Sequence, residues 1–128
     1  MGLLTDFFIA SLDELQGLDP TRGPSERFPT VEAKGFDPVE LSQLEVRMTN
    51  NAGPHINQPI VKENGSTWVI DLEQGFAPAL AAMDAEQIER FGEEWLLSDD
   101  ETEVLARVAA LSRQGVETGK RLYVWVSE

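Results

Sequence analysis

The stretch SDDETEVLARVAALSRQGVETGKRLYVWVS, residues 98–127, joins a capped helix to a strand and decides the fold of this chain. Residues 98–100 are natural N-cap residues, and the acids among them favour the positive end of a helix dipole. Apolar residues then recur at helical spacing up to Gly119, which is placed to end the helix as its C′ residue. Beyond it, apolar and aromatic residues alternate with the two-residue period of a strand from Leu122 to Ser127.

A second apolar and aromatic strand is predicted near the other end of the chain, from Leu4 to Ala10. Its alternation places Phe7 and Ile9 on one face of a sheet and Phe8 on the other. Because these two terminal strands are the most apolar of the chain, we expect them to be neighbours near the centre of one sheet.

Capping signals and one turn mark the elements between these strands. A Ser-x-x-Glu capping box at residues 11–14 opens a short helix, and the Asp-Pro-Val-Glu sequence at 37–40 opens another. Asn-Gly at 64–65 separates two β-branched runs and predicts a hairpin. The segments 19–29 and 50–59 contain glycine and several prolines and are predicted loops.

From Phe76 onward the pattern is helical for about forty residues, interrupted at residues 98–100 and at Asp84, which begins another capping box. The second of these helices carries one apolar stripe, formed by Ile88, Phe91 and Trp95. We expect Trp95 and the hairpin residue Trp68 to belong to the core.

Together these elements predict an α+β fold, a small mixed or antiparallel sheet of four to five strands covered by three to four helices. A chain of 128 residues can bury about two thirds of its unfolded surface. No repeat or linker divides it, so we predict a single domain over residues 1–128.

The composition removes most catalytic chemistries. The chain has no cysteine, which excludes a disulfide framework, a thiolate zinc site and a thiol nucleophile. It has one histidine, His55, so a transition-metal site would need carboxylates for all its other ligands. A catalytic triad would need the same histidine, and no serine lies in a nucleophile-elbow pattern. We therefore predict no catalytic residue, no metal site and no cofactor.

Acidic residues outnumber basic residues by 23 to 10, which gives a formal net charge of −13. This charge opposes binding to nucleic acid and to anionic membrane surfaces, because both rely on Lys and Arg. The first residues lack the basic start of a secretory signal, and no stretch approaches the roughly 20 apolar residues of a membrane span. We therefore expect a cytoplasmic protein of bacterial type.

The most charged segment runs from Asp84 to Val104 and contains nine acids and one base, Arg90. Four of these acids stand at a predicted helix N-terminus, where each negative charge is stabilised by about 0.3–1 kcal/mol. A Ca²⁺ or Mg²⁺ site is an alternative, but the alternating oxygen ligands and central glycine of an EF-hand loop are missing. A pair of carboxylates acting as general acid and base is another, although 23 acids supply such pairs by chance.

Protein binding remains as the predicted function. We predict a non-enzymatic binding or adaptor module whose acidic surface docks a basic protein. One alternative is a small-molecule domain or carboxylate-dependent enzyme built around Arg27, Arg47 and His55, which a pocket of about 300 Å³ or more would favour. A structural homodimer is the other. The predicted partner-binding residues are Glu93, Glu94, Asp99, Asp100, Glu101, Glu103, Tyr123 and Trp125.

Tyr123 and Trp125 enter this set because they project from the sheet face opposite Leu122. Tyr and Trp dominate binding hot spots, so an exposed aromatic face would suit a partner or a second copy of the chain. The competing interpretation is that both faces of the sheet are covered and the two rings are core. The exposure of the two side chains separates these interpretations.

Overall fold

The computed structural model describes residues 4–16, 28–34, 38–49, 61–63, 67–73 and 75–127. The elements within these ranges are, in chain order, β1 (Leu4–Ala10), α1 (Leu12–Gln16), β2 (Thr30–Lys34), α2 (Pro38–Thr49), β3 (Val61–Glu63), β4 (Thr67–Asp71), α3 (Phe76–Ala81), α4 (Ala85–Glu94), α5 (Asp99–Thr118) and β5 (Arg121–Ser127). Some predictions fall outside the described residues, namely those on Asp37, the loop segments 19–27 and 50–59 with His55, and the hairpin turn 64–66. The predicted burial of the Trp68 side chain also lies outside what the structure describes.

The five described strands form one sheet in the order β2-β1-β5-β4-β3, and every pair is antiparallel. Strand β5 is central, with Val124 opposite Phe7 of β1 on one side and Ile70 of β4 on the other. The predicted α+β class and the pairing of the two terminal strands are therefore confirmed. The described residues form five helices, where three to four were expected.

The edge strand β2 is an element that the sequence analysis does not assign. Val31 lies opposite Phe7 in the ladder with β1 and is buried, whereas Glu32 is exposed. This alternation is a strand signal, but it extends over only five residues and includes an acid on the solvent side.

Capping fixes where the helices begin. Both predicted capping boxes form, and a third starts α5; the reciprocal backbone-to-side-chain pairs are Ser11 with Glu14, Asp84 with Gln87, and Ser98 with Glu101. Helix α5 ends at Gly119, whose φ of 71° is the left-handed conformation that favours glycine. The prediction of Gly119 as the stop of this helix is therefore confirmed.

Helices α2 to α5 cover one face of the sheet and form the main core with it. Sheet residues such as Phe7 and Val124 pack there with Phe76 of α3 and Leu105 of α5. None of the described helices is both long and apolar enough to cross a membrane.

The opposite sheet face carries a second core, which consists of Phe8, Ala10, Phe28, Val69, Tyr123 and Trp125. Tyr123 is fully buried and its ring centroid lies 5.6 Å from that of Phe8, while Trp125 is 7% exposed. The prediction that Tyr123 and Trp125 form an exposed binding face is therefore wrong. The physical reason is that the central strand β5 is buried on both of its faces, which also removes the aromatic surface expected to serve self-association.

Candidate partner-binding groove

Helices α4 and α5 are in close contact at Gly92. A Cβ atom placed on Gly92 would lie 2.4 Å from Oγ1 of Thr102, so the contact leaves no room for a larger residue unless Thr102 moves. The Thr102 hydroxyl is held in place because it donates a hydrogen bond to the carbonyl of Ser98 at 3.0 Å. The close approach keeps the outer faces of the two helices next to each other.

Between these outer faces lies a groove with a volume of about 330 Å³, here named the α4–α5 groove. Its floor is apolar or small, with Ile88 and Gly92 buried and Leu97 and Ala106 half-buried. Its rim carries four carboxylates, those of Glu89 and Glu93 from α4 and of Asp99 and Glu103 from α5.

The rim carboxylates form two pairs, and the members of each pair are one helical turn apart. Glu89 and Glu93 are four residues apart on α4, as are Asp99 and Glu103 on α5, and all four are exposed. Like charges at this spacing destabilise a helix by about 0.2–0.5 kcal/mol per pair. The groove lining, which lies wholly within the described residues, contains no Lys, Arg or His.

Arg90, the base within this acidic segment, is engaged elsewhere on α4. Its Nη2 lies 2.7 Å from Oε1 of Glu86, in an exposed pair four residues apart. Such a pair contributes little stability in water. The negative charge of the rim is therefore not neutralised by the base nearest to it in sequence.

Three of the predicted binding residues line the groove, namely Glu93, Asp99 and Glu103. Glu94 and Asp100 are exposed on the same two helices but do not line it. Glu101 accepts a hydrogen bond from the Ser98 backbone N–H at 3.0 Å, and this bond lowers the pKa of its carboxyl. The structure thus gives Glu101 a role in starting α5.

Glu89 and Thr102 are lining residues that the sequence analysis does not select. Glu89 precedes Glu93 by four residues, and this spacing on an amphipathic helix was the available signal. Thr102 could not be selected from sequence, because its position depends on its contact with Gly92.

The C-terminal end of α4 exposes two large apolar side chains next to the groove residue Leu97. Trp95 is 40% exposed, so the expectation that it belongs to the core is wrong; α4 ends at this point and its apolar stripe leaves the core. The guanidinium carbon of Arg47 lies 4.7 Å from the centroid of the Trp95 ring, a cation–π contact. Leu96 is 90% exposed and has a positive φ of 58°.

The second sheet face also carries ionisable groups. Asp6 lies opposite Glu32 in the ladder, and burial together with the charge of Glu32 raises the pKa of Asp6 from 3.8 to about 6. Arg121 donates a hydrogen bond to Oδ2 of Asp71 at 2.8 Å, which raises the pKa of the guanidinium. Burial raises the pKa of the Tyr123 hydroxyl. Asp6 is thus a carboxyl that exchanges its proton close to neutral pH.

A metal ion would require several rim carboxylates to converge on one point. Across the described ranges, no three or more His, Asp or Glu side chains are placed so that they could hold one metal ion. No three of the rim carboxylates therefore converge on one metal ion. A ligand that uses all four has to present several positive charges spread over the groove.

A scan against known protein families, a search of curated proteins and a search of solved structures each find no match to this chain.

Proposed function

We propose that this chain is a non-enzymatic binding module that docks a basic protein through the α4–α5 groove. The main support for this proposal is the rim of the groove. Four exposed carboxylates surround a groove of about 330 Å³ whose lining contains no base. Carboxylates that repel one another in the free protein are stabilised when Lys or Arg side chains come between them.

The charge of the whole molecule supports the same type of partner. A net charge of −13 attracts basic proteins over long range and repels nucleic acid and anionic lipid. Glu94 and Asp100 contribute to this field without lining the groove. The rate of association should fall as salt rises, because the Debye length shortens to about 8 Å at physiological ionic strength.

The apolar floor of the groove adds hydrophobic contact to the electrostatic attraction of the rim. Binding interfaces concentrate their energy in a desolvated apolar centre surrounded by a polar rim. The α4–α5 groove has this arrangement, with Ile88 and Leu97 in the floor and carboxylates on both sides.

Affinity capture from the native host tests the proposal, with two variants of equal charge. Glu89→Gln/Glu93→Gln removes two rim carboxylates, and the control Glu94→Gln/Asp100→Asn removes two exposed carboxylates outside the groove. We expect basic proteins that wild type and control retain at about 50 mM salt and release at about 300 mM. The rim variant should not retain them. The proposal fails if no captured protein distinguishes the two variants, or if the retained proteins are insensitive to salt.

A small cationic ligand is the second candidate, because the groove volume lies at the lower end of the range of about 300–1,000 Å³ found for small-molecule sites. Of the residues predicted for a small-molecule site, Arg47 contacts the Trp95 ring, and Arg27 and His55 lie outside the described residues. Calorimetric titration with spermine tests it. Micromolar binding that is lost in Glu89→Gln/Glu93→Gln would favour the small ligand.

A further inference from the structure

We infer that the segment bound in the α4–α5 groove is a basic amphipathic helix of the partner protein, with Lys or Arg one turn apart on both sides of an apolar stripe. This inference rests on the proposed function and names the chemistry of its partner. It follows from the spacing of the rim carboxylates, the composition of the floor and the apolar surface at one end of the groove.

The spacing of the rim matches that of a helix. Glu89 and Glu93 repeat after four residues along one side of the groove, and Asp99 and Glu103 do so along the other. Side chains four residues apart on a partner helix repeat over a similar distance, about 6 Å along the axis. One helix lying along the groove can therefore place a cation against each carboxylate.

The groove is long enough for two turns of such a helix. Its α4 side runs from Ala85 to Glu93 and its α5 side from Asp99 to Ala106, which at 1.5 Å per residue is about 10–12 Å. A volume of about 330 Å³ admits side chains rather than a whole helix. The partner helix would therefore rest on the rim and insert apolar side chains from its stripe.

The floor fits apolar side chains entering from above. Ala85 and Ala106 are small and leave the groove open, whereas Gly92 packs closely against Thr102. Ile88 and Leu97 are the larger apolar residues of the floor. This is the helix-in-groove mode of recognition, in which an amphipathic helix buries its apolar face against two others.

Leu96 extends the apolar surface beyond the groove. It follows Glu93 of the rim by three residues and precedes Leu97 of the floor, and its side chain is 90% exposed. Trp95, 40% exposed, lies beside it in sequence. A partner longer than two turns would reach Leu96, which directly precedes the groove residue Leu97, whereas a compact cation such as a polyamine would not need it.

The test uses two synthetic peptides of about 18 residues, a length at which an isolated helix becomes marginally stable. The helical probe places Leu and Ala on one stripe and Lys at four-residue spacing on both sides of it. The scrambled probe has the same composition and charge without the stripe. Binding of dye-labelled peptide to the full chain is measured by fluorescence anisotropy, and peptide helicity by circular dichroism.

We expect the helical probe to gain helicity and to bind at least about tenfold more tightly than the scrambled probe, since only the former can use rim and floor together. Glu89→Gln/Glu93→Gln should weaken it by about tenfold, and Leu96→Ala by about threefold. The control Glu94→Gln/Asp100→Asn should change its affinity by less than about twofold.

Each other outcome overturns the inference in a distinguishable way. Equal affinity of the two probes, lost in the rim variant, would leave the proposed function intact and reject a helical partner. Binding of neither probe would reject the helical segment, and the capture experiment would then decide the proposed function separately. Displacement of the helical probe by spermine at comparable concentration would point to a small cation instead.

Discussion

Leu96 occupies a backbone position that glycine usually takes. Helix α4 ends with the Leu97 N–H bonded to the Gly92 carbonyl at 2.8 Å, a Schellman closure that puts Leu96 at a φ of 58°. The left-handed conformation costs a non-glycine residue about 1–2 kcal/mol. With its side chain 90% exposed, Leu96 recovers little of this through burial. A costly residue at this place is consistent with a contact made only in a complex.

We predict that Leu96→Gly raises the free energy of unfolding by about 1 kcal/mol, because glycine relieves the backbone strain. Leu96→Ala keeps the Cβ atom and should leave stability within about 0.5 kcal/mol of wild type. Urea denaturation of both variants measures this. A Leu96→Gly variant that is no more stable than Leu96→Ala would show that the conformation is not strained.

Asp6 is expected to make stability depend on pH. Its pKa is about 6 in the folded protein, against 3.8 for a free side chain, because of burial and the facing Glu32. The folded state therefore holds the proton more tightly than the unfolded state does. The resulting stabilisation is complete below pH of about 3.8 and is lost as the pH rises through about 6.

We predict that Asp6→Asn stabilises the protein at pH of about 7.5 by about 1 kcal/mol, a value reduced from the full shift because the side chain is partly exposed. The gain over wild type should diminish towards pH of about 4, where Asp6 is protonated in the folded state. Glu32→Gln should give a smaller gain, since Glu32 is the lesser cause of the shift. Urea denaturation at both pH values is the measurement, and a gain independent of pH would contradict the assignment.

The crossing of α4 and α5 depends on one glycine. We predict that Gly92→Ala lowers the free energy of unfolding by about 1–3 kcal/mol, the usual cost of overpacking, despite the better helix propensity of alanine. The new methyl group would meet Oγ1, Cγ2 and Cβ of Thr102 at 2.4, 3.1 and 3.3 Å. Thr102→Ala removes the two nearer atoms, so the double variant should be more stable than the sum of the single effects implies. Additive effects in urea denaturation would mean that the helices do not meet here.

Periodicity and capping predict most elements of this fold but not their surroundings. The alternation of apolar residues predicts strand β5 correctly, yet the same alternation fits an exposed or a buried Tyr123. The outcome depends on residues distant in sequence, such as Phe28, which packs with it in the second core. The prediction that Trp95 is buried fails because a helical apolar stripe does not show where the elements that cover it end.

The candidate site was predictable in its charge and not in its shape. The density of acids between residues 84 and 104 indicates the segment that contains Glu93, Asp99 and Glu103, and all three line the groove. Sequence could not separate them from Glu94 and Asp100, which are as acidic and as near. That separation comes from the crossing of α4 and α5, a contact between residues of different helices.

At the scale of the whole molecule, a net charge of −13 makes the folded state repel itself. The two rim pairs add to this repulsion, each by about 0.2–0.5 kcal/mol. The helix dipole partly compensates the negative charge of the acids in the first turn of α5. On α4, Arg90 pairs with Glu86, and no described ion pair compensates the charges of Glu89 and Glu93. The pair on α4 thus lowers the stability of the free protein, which is what we expect under the proposal that the rim binds a partner.

We therefore predict that Glu89→Gln/Glu93→Gln, which removes the like-charge pair of α4, raises the free energy of unfolding by about 0.2–0.5 kcal/mol at about 20 mM salt. The difference should shrink at about 500 mM salt, where exposed charges are screened, while wild type itself becomes more stable. The control Glu94→Gln/Asp100→Asn removes the same charge but should not stabilise, since Asp100 stands in the first turn of α5. Urea denaturation at both salt concentrations gives the comparison. A loss of stability in the rim variant would mean that these carboxylates hold the fold together, and the case for a rim kept for a partner would be lost.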